Sequence, residues 1–223
     1  MTCEIMFLLD RERFFIVSFP NSKKESSMPR FRSLKVLVRS WFRSDEWTKE
    51  RPLPPECYEE GVATLSLVNP LFACLTEGGD MTDRAAYALG GVMARLYEES
   101  HEEAKNIIRR FMWHMNEESG NIGWGIPEAF GETLAQSAPL AETFRRVLLH
   151  YVYDAPEGKS TSFCDHAPLR ISCYKAIARL LEARPQYASE SMPVLRHSAQ
   201  NETDEACRQA AQALVRKYML TAM

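Results

Sequence analysis

Residue types that could do chemistry are densest in the segment WHMNEESGNIGWGIPE. It contains five candidate binding residues: Trp113, Glu117, Asn121, Trp124 and Glu128. Rigid aromatic rings beside carboxylates suit a binding site for a cation, a base or a peptide. We therefore predict a binding site in this segment. In the alternative interpretation, the segment fills the gap between two helix pairs and packs both indole rings in the core.

A second group of reactive residue types is Cys164-Asp165-His166, which is followed by Arg170. A cysteine beside a histidine and an acid suggests a nucleophile or a metal ligand. Adjacent side chains point in different directions, however, so Asp165 or His166 next to a helix start is explained more simply as an N-cap. We retain His166 and Arg170 as candidate binding residues. Cys164 is a candidate nucleophile only if a base meets it in the fold.

Motifs for metal and phosphate binding are absent from the sequence. The six cysteines form no C-x-x-C pair, and neither H-x-x-x-H nor H-E-x-x-H occurs. No glycine-rich phosphate loop of the form G-x-x-x-x-G-K or G-x-G-x-x-G is present. We therefore assign no catalytic residue, no metal ligand and no cofactor, and we favour a non-enzymatic role. Scattered thiols on helical segments indicate buried cysteines of a cytoplasmic protein.

Charge is distributed unevenly along the 223 residues, which include 27 Lys+Arg and 30 Asp+Glu. The stretch 28–51 holds seven basic and three acidic residues, whereas 52–223 holds 16 basic and 23 acidic residues. The first helix is therefore basic. It could contact an acidic partner or a phosphate backbone, or dock on the acidic body as a solvated end helix. No apolar run reaches the roughly 18–20 residues that span a bilayer, so we predict no membrane partner.

Helical periodicity covers almost the whole chain beyond residue 32. Apolar residues recur from Leu34 at i, i+3, i+4, i+7 and i+8. Ser100 and Glu103 form a capping box, and the short join there predicts a helical hairpin. Asn201 or Thr203 is expected to cap the last helix. Four prolines are expected at or near helix starts: Pro70, Pro127, Pro139 and Pro168.

The helix pairs recur every 34–47 residues, with small residues at matched places: Ala88, Ala129, Ala176 and Ala210. A helix pair of that length cannot bury its apolar face alone, so neighbouring pairs must stack. Small residues would let the first helices of successive pairs approach closely.

These patterns resemble a known family. The repeat spacing, the Ala-Leu-Gly core of Arg84–Leu96 and the proline helix starts are similar to HEAT-like repeats of the phycobilisome-lyase type. More narrowly, Arg109–Glu132 and the CDHAPLR stretch Cys164–Arg170 resemble a family of HEAT-like proteins from sulfate-reducing bacteria. The resemblance covers roughly Arg32 to Tyr218. It implies an all-α fold, a HEAT-like α-solenoid of about four to five stacked antiparallel helix pairs, and no established reaction.

The N-terminal 27 residues differ from the remainder. The apolar runs Ile5–Leu9 and Phe14–Phe19 flank four charged residues, which suits a small β-hairpin. Alternatively, residues 1–27 are a disordered or non-native extension upstream of a start at Met28. We predict an N-terminal extension over 1–27 and one HEAT-like domain over 28–223.

The leading functional prediction is an interaction scaffold. Stacked helix pairs present an extended surface to a protein or peptide partner, and the Trp113–Glu128 loop is the expected hot spot.

A nucleic-acid-binding enzyme similar to HEAT-like alkylpurine DNA glycosylases is the first alternative. It would require basic side chains around the tryptophans, and the candidates are Arg109, Arg110, Arg145, Arg146 and Arg170. A lyase-like or chaperone-like subunit that handles a cofactor is the second alternative.

Overall fold

The computed structural model describes residues 31–116, 123–155 and 162–219. All regular structure in these three ranges is helical, as the periodicity predicts. The ranges contain nine α-helices: α1 (Phe31–Arg43), α2 (Thr64–Leu75), α3 (Gly79–Glu99), α4 (His101–Met115), α5 (Ile126–Gln136), α6 (Ala138–His150), α7 (Ala167–Ala183), α8 (Ala188–Asn201) and α9 (Glu205–Tyr218). None of the helices described is long and apolar enough to cross a membrane.

Several sequence signals for helix starts are confirmed. Ser100 alone separates α3 from α4, and its hydroxyl accepts a hydrogen bond from the Glu103 backbone N–H at 3.5 Å. Pro127, Pro139 and Pro168 lie in the first turns of α5, α6 and α7, where a missing N–H costs no intrahelical hydrogen bond. The predicted hairpin of residues 1–27 falls outside the described residues.

Two expectations about helix ends are wrong. Pro70 lies inside α2 instead of starting a helix. It removes one backbone hydrogen bond, but α2 packs against both α1 and α3 and buries Leu67 and Leu71 there, so tertiary packing outweighs propensity. The cap of α9 is Asp204, whose carboxylate accepts the Cys207 backbone N–H at 2.9 Å. Several polar residues precede this helix, and local sequence did not single out the one that caps it.

Helix α5 lies at the centre of the packing, with α3 on one side and α7 on the other. A Cβ placed on Gly90 of α3 would lie 2.9 Å from the backbone C and O of Glu132 in α5. A Cβ on Gly131 of α5 would lie 2.6 Å from the Cα of Ala176 in α7. Because these glycines have no side chain, the three helix backbones lie in direct contact.

Aromatic packing fixes α2 and α4 against α5. The ring centroid of Phe111 lies 5.4 Å from that of Phe72 and 5.9 Å from that of Phe130. All three side chains are buried, and Phe111 and Phe130 have no exposed surface. This row of rings sets the separation of the three helices that border the site described next.

Candidate binding site

An open groove of about 440 Å³ lies where α2, α4 and the start of α5 meet. We call it the Trp124 groove. Its principal lining side chains are Phe31, Phe72, Arg110, His114, Trp124 and Ile126. Phe31 is 51% exposed and Trp124 is 41% exposed, so two large aromatic surfaces face solvent in one concavity. Two exposed aromatic rings in one concavity make this groove a candidate binding site.

Two glycines hold Trp124 in position. Gly125 is the N-cap of α5 and has a φ of 75°, and a Cβ there would overlap the carbonyl oxygen of Leu75 at the end of α2. A Cβ on Gly123 would lie 2.9 Å from the carbonyl oxygen of His114 at the end of α4. The backbone on both sides of Trp124 therefore lies against neighbouring backbone, which fixes the position of this residue's main chain at the junction of three helices.

Histidines lie beside both exposed tryptophans. The Trp124 ring is edge-on to the ring of His166, with centroids 5.5 Å apart and planes at 74°. Trp113 is 61% exposed and lies edge-on to His114, with centroids 5.1 Å apart. His166 occupies the N-cap position of α7 but makes no capping hydrogen bond through its side chain. Its imidazole instead extends the aromatic surface around Trp124.

Arg110 forms the polar edge of the groove. Its guanidinium carbon lies 4.1 Å from the ring centroid of Phe72, and its Nη1 donates to the Asn69 side-chain oxygen at 2.5 Å. Burial lowers the pKa of this guanidinium, which remains charged because arginine titrates far above neutrality. Arg110 therefore presents a fixed, partly desolvated positive charge beside the aromatic surface.

Glu128 borders a different groove from Trp124. This second groove, of about 510 Å³, lies along α3, α5 and α7 and is lined in part by Trp47, Tyr87 and Glu128. One carboxylate oxygen of Glu128 and the indole nitrogen of Trp47 are buried without a hydrogen-bond partner among the described residues. The aromatic faces here are covered by the protein's own cations, since Arg84 lies over Trp47 at 5.0 Å and Lys49 over Tyr87 at 5.6 Å.

Arg170 lies in the core. Its Nε and Nη2 donate to the two carboxylate oxygens of Glu202 at 2.9 and 2.8 Å, and the two side chains are only 4% and 3% exposed. Burial by itself raises the pKa of Glu202, but the hydrogen bonds and charge of Arg170 outweigh it, so that the pKa lies below its usual value. This guanidinium ties α7 to the segment before α9.

Cys164 does not meet a base among the residues described. Its side chain is buried, and its thiol donates to the backbone oxygen of His166 at 3.7 Å and also interacts with the thiol of Cys173. Burial raises the pKa of Cys173 well above its usual value, which keeps that thiol protonated. The geometry described gives no support to a nucleophilic Cys-Asp-His group.

The structure brings together only part of the site predicted from the sequence. Trp124 and His166 are in contact, and Trp113 lies next to the groove through His114. Glu128 and Arg170 lie elsewhere, and Glu117 and Asn121 fall outside the described residues. The groove also contains Phe31, Phe72 and His114, which the sequence analysis did not assign to the site, and Arg110, which it named only for the nucleic-acid-binding alternative. Phe72 lies 52 positions before Trp124, and no local pattern connects them.

Comparison of the chain with protein-family models, with curated proteins and with solved structures finds no match. The resemblance to HEAT-like repeats therefore stays a prediction from the sequence. The site is interpreted from its own geometry.

Proposed function

We propose that this chain is a non-enzymatic interaction scaffold that binds a protein or peptide partner in the Trp124 groove. One observation carries the proposal: an indole that is 41% exposed lies at the edge of an open concavity, on a main chain that Gly123 and Gly125 hold against neighbouring backbone. A rigid tryptophan loses little conformational entropy when a partner covers it, and such residues contribute a large share of interface energies. A volume of about 440 Å³ suits a few side chains of an extended or helical segment.

The proposed architecture is a HEAT-like α-solenoid. The order of contacts supports it, because α3 packs on α5, α5 on α7 and α7 on α9, while α4, α6 and α8 alternate with them along the chain. In such an arrangement each helix pair contacts its neighbours and leaves a continuous surface open. The five described cysteines are buried and free, which supports a reducing compartment such as the cytoplasm.

The arrangement of arginines disfavours the nucleic-acid-binding alternative. Of the five candidates, Arg110 borders the Trp124 groove, whereas Arg145 and Arg146 both bind the carboxylate of Glu190 and Arg170 is buried. Arg109 is on the exposed face of α4 and hydrogen-bonds Asn106. A surface that follows a phosphate backbone requires several unpaired cations side by side.

Co-purification from the cells that produce the chain tests the proposal. We expect the full-length wild-type chain to retain a stoichiometric protein partner, and Trp124→Ala to lose it. Tyr58→Ala is the matched control, because Tyr58 is an exposed aromatic residue (54%) that does not line the groove, and it should retain the partner. Melting temperatures of the two variants verify that both are folded.

Two results would overturn the proposal. One is recovery of nucleic acid or a small molecule with no protein partner. The other is equal recovery of the partner by the wild type and by Trp124→Ala, which would place the binding surface elsewhere.

A further inference from the structure

Among the residues described, several arginines on the helix surfaces pair with a carboxylate, and Arg110 does not. Arg145 and Arg146 bind Glu190, and Arg179 binds Glu132 at 2.8 Å. Arg110 instead contacts two neutral groups, the amide oxygen of Asn69 and the ring of Phe72. Within the described residues, no carboxylate lies within ion-pair distance of its guanidinium. The groove therefore contains a positive charge that the described fold does not neutralise.

The two neutral contacts also fix the orientation of the guanidinium. Stacking on Phe72 holds the guanidinium carbon 4.1 Å from the ring centroid, and the Asn69 hydrogen bond fixes one edge. A guanidinium has five N–H donors, so an edge remains for a ligand. Two parallel N–H groups of a guanidinium can donate to the two oxygens of one carboxylate. Because Arg110 is partly buried, such an ion pair is stronger there than at a fully exposed surface.

We propose that the occupant of the Trp124 groove is an acidic, apolar peptide segment of a partner protein, which places an apolar side chain on Trp124 and a carboxylate on Arg110. This inference rests on the proposed function and adds the chemistry of the partner. Trp124 supplies affinity for apolar groups in general. Arg110 selects, among apolar segments, those that carry Asp or Glu at the right distance.

Three synthetic peptide libraries serve as probes. Each consists of acetylated and amidated 12-residue peptides that are random over Phe, Leu, Ile, Ala and Ser, except at the two central positions, which are both Glu in one library, both Gln in the second and both Lys in the third. The full-length chain is immobilised and the retained fraction of each library is measured. We expect the Glu library to be retained about tenfold more than the Gln library, and the Lys library least.

Variants on α4 identify the residue responsible. Arg110→Gln should abolish the preference for Glu over Gln, and Arg110→Lys should keep part of it because it retains the charge without the planar donor pair. Arg109→Gln is the matched control. It removes the adjacent, exposed arginine on the same helix and should leave the preference unchanged. Circular dichroism and melting temperature establish that each variant is folded.

The possible outcomes distinguish failure of this inference from failure of the proposed function. Equal retention of the Glu and Gln libraries by the wild-type chain, with both lost in Trp124→Ala, would overturn the inference and leave the proposed function intact. Retention of none of the libraries would overturn both. A preference for Glu that persists in Arg110→Gln would assign the selection to another cation and would also overturn the inference.

Discussion

The indole of Trp124 stands edge-on to the imidazole of His166, with ring centroids 5.5 Å apart. The two residues are 42 positions apart; Trp124 lies two residues before the start of α5, and His166 immediately precedes α7. Their contact therefore bridges two helices that are also in direct backbone contact through Gly131 and Ala176. The close backbone contacts of Gly123 and Gly125 restrain the main chain at Trp124, and the ring of His166 contacts the indole. This restraint favours binding, because an ordered ring loses little entropy when a partner covers it.

Substitution of Gly125 should destabilise the fold more than substitution of another glycine with positive φ. Gly125→Ala introduces both backbone strain at φ 75° and an overlap with the Leu75 carbonyl oxygen. We expect a loss of about 3 kcal/mol in the free energy of unfolding, measured by urea denaturation.

Gly79→Ala is the matched control for this prediction. Gly79 has φ 54°, but nothing lies within 4 Å of its ideal Cβ, so only the strain of about 1 kcal/mol should be seen. Equal losses in the two variants would show that the Leu75 contact does not anchor the loop.

Two adjacent glycines of α3 should respond oppositely to the same change. Gly90→Ala would place a Cβ 2.9 Å from the Glu132 backbone and should lower the free energy of unfolding by about 1–2 kcal/mol, because α3 must move away from α5. The new Cβ of Gly91→Ala would contact only the side chain of Gln136, at 3.3 Å. This substitution should raise the free energy of unfolding by about 0.5 kcal/mol, because alanine has the higher helix propensity. Stabilisation by both substitutions would contradict the close α3–α5 packing.

The ion pair of Arg170 and Glu202 should make stability depend on pH. Glu202→Gln leaves a buried guanidinium without its counter-charge and should cost about 3 kcal/mol at neutral pH, measured by urea denaturation. Because the folded-state pKa of Glu202 is lowered, its contribution is present above the unfolded pKa of about 4.3 and is lost as pH falls through the folded pKa.

The wild type should therefore lose more stability than Glu202→Gln when the pH is lowered from about 6 to about 3. Parallel pH profiles for the two proteins would show that the carboxylate is not stabilised by Arg170.

Removal of residues 1–27 should leave the melting temperature unchanged, because the core of the described fold begins at Leu34 and Val38. A second truncation that starts at Arg39 is the control for sensitivity. It removes these two side chains, which are 2% and 0% exposed, and should lower the melting temperature clearly. A clear loss in the first truncation would mean that residues 1–27 belong to the fold.

The sequence predicted those features that depend on neighbours in the chain. The Ser100 cap and the proline starts of α5 to α7 depend on residues within one helical turn, and they are confirmed. Pro70 was misassigned because its position depends on how α2 is buried between α1 and α3.

The candidate site was harder to predict because it is assembled from distant segments. Local sequence singled out Trp124 because its segment combines aromatic rings with carboxylates. It could not show that Arg170 would be neutralised by Glu202, 32 residues away, or that Arg110 would lie beside Trp124. Which charges are paired is decided by tertiary contacts, and a single sequence does not reveal them.

The dissociation constant of a peptide selected against the full-length chain tests the central claim most directly. Random 12-residue peptides are selected by phage display, and the strongest binder is measured by isothermal titration calorimetry against wild type, Trp124→Ala and Tyr58→Ala. We predict that Trp124→Ala weakens binding by about 30-fold or more, as expected for a hot-spot tryptophan, while Tyr58→Ala has no effect. Equal dissociation constants for wild type and Trp124→Ala would contradict the account.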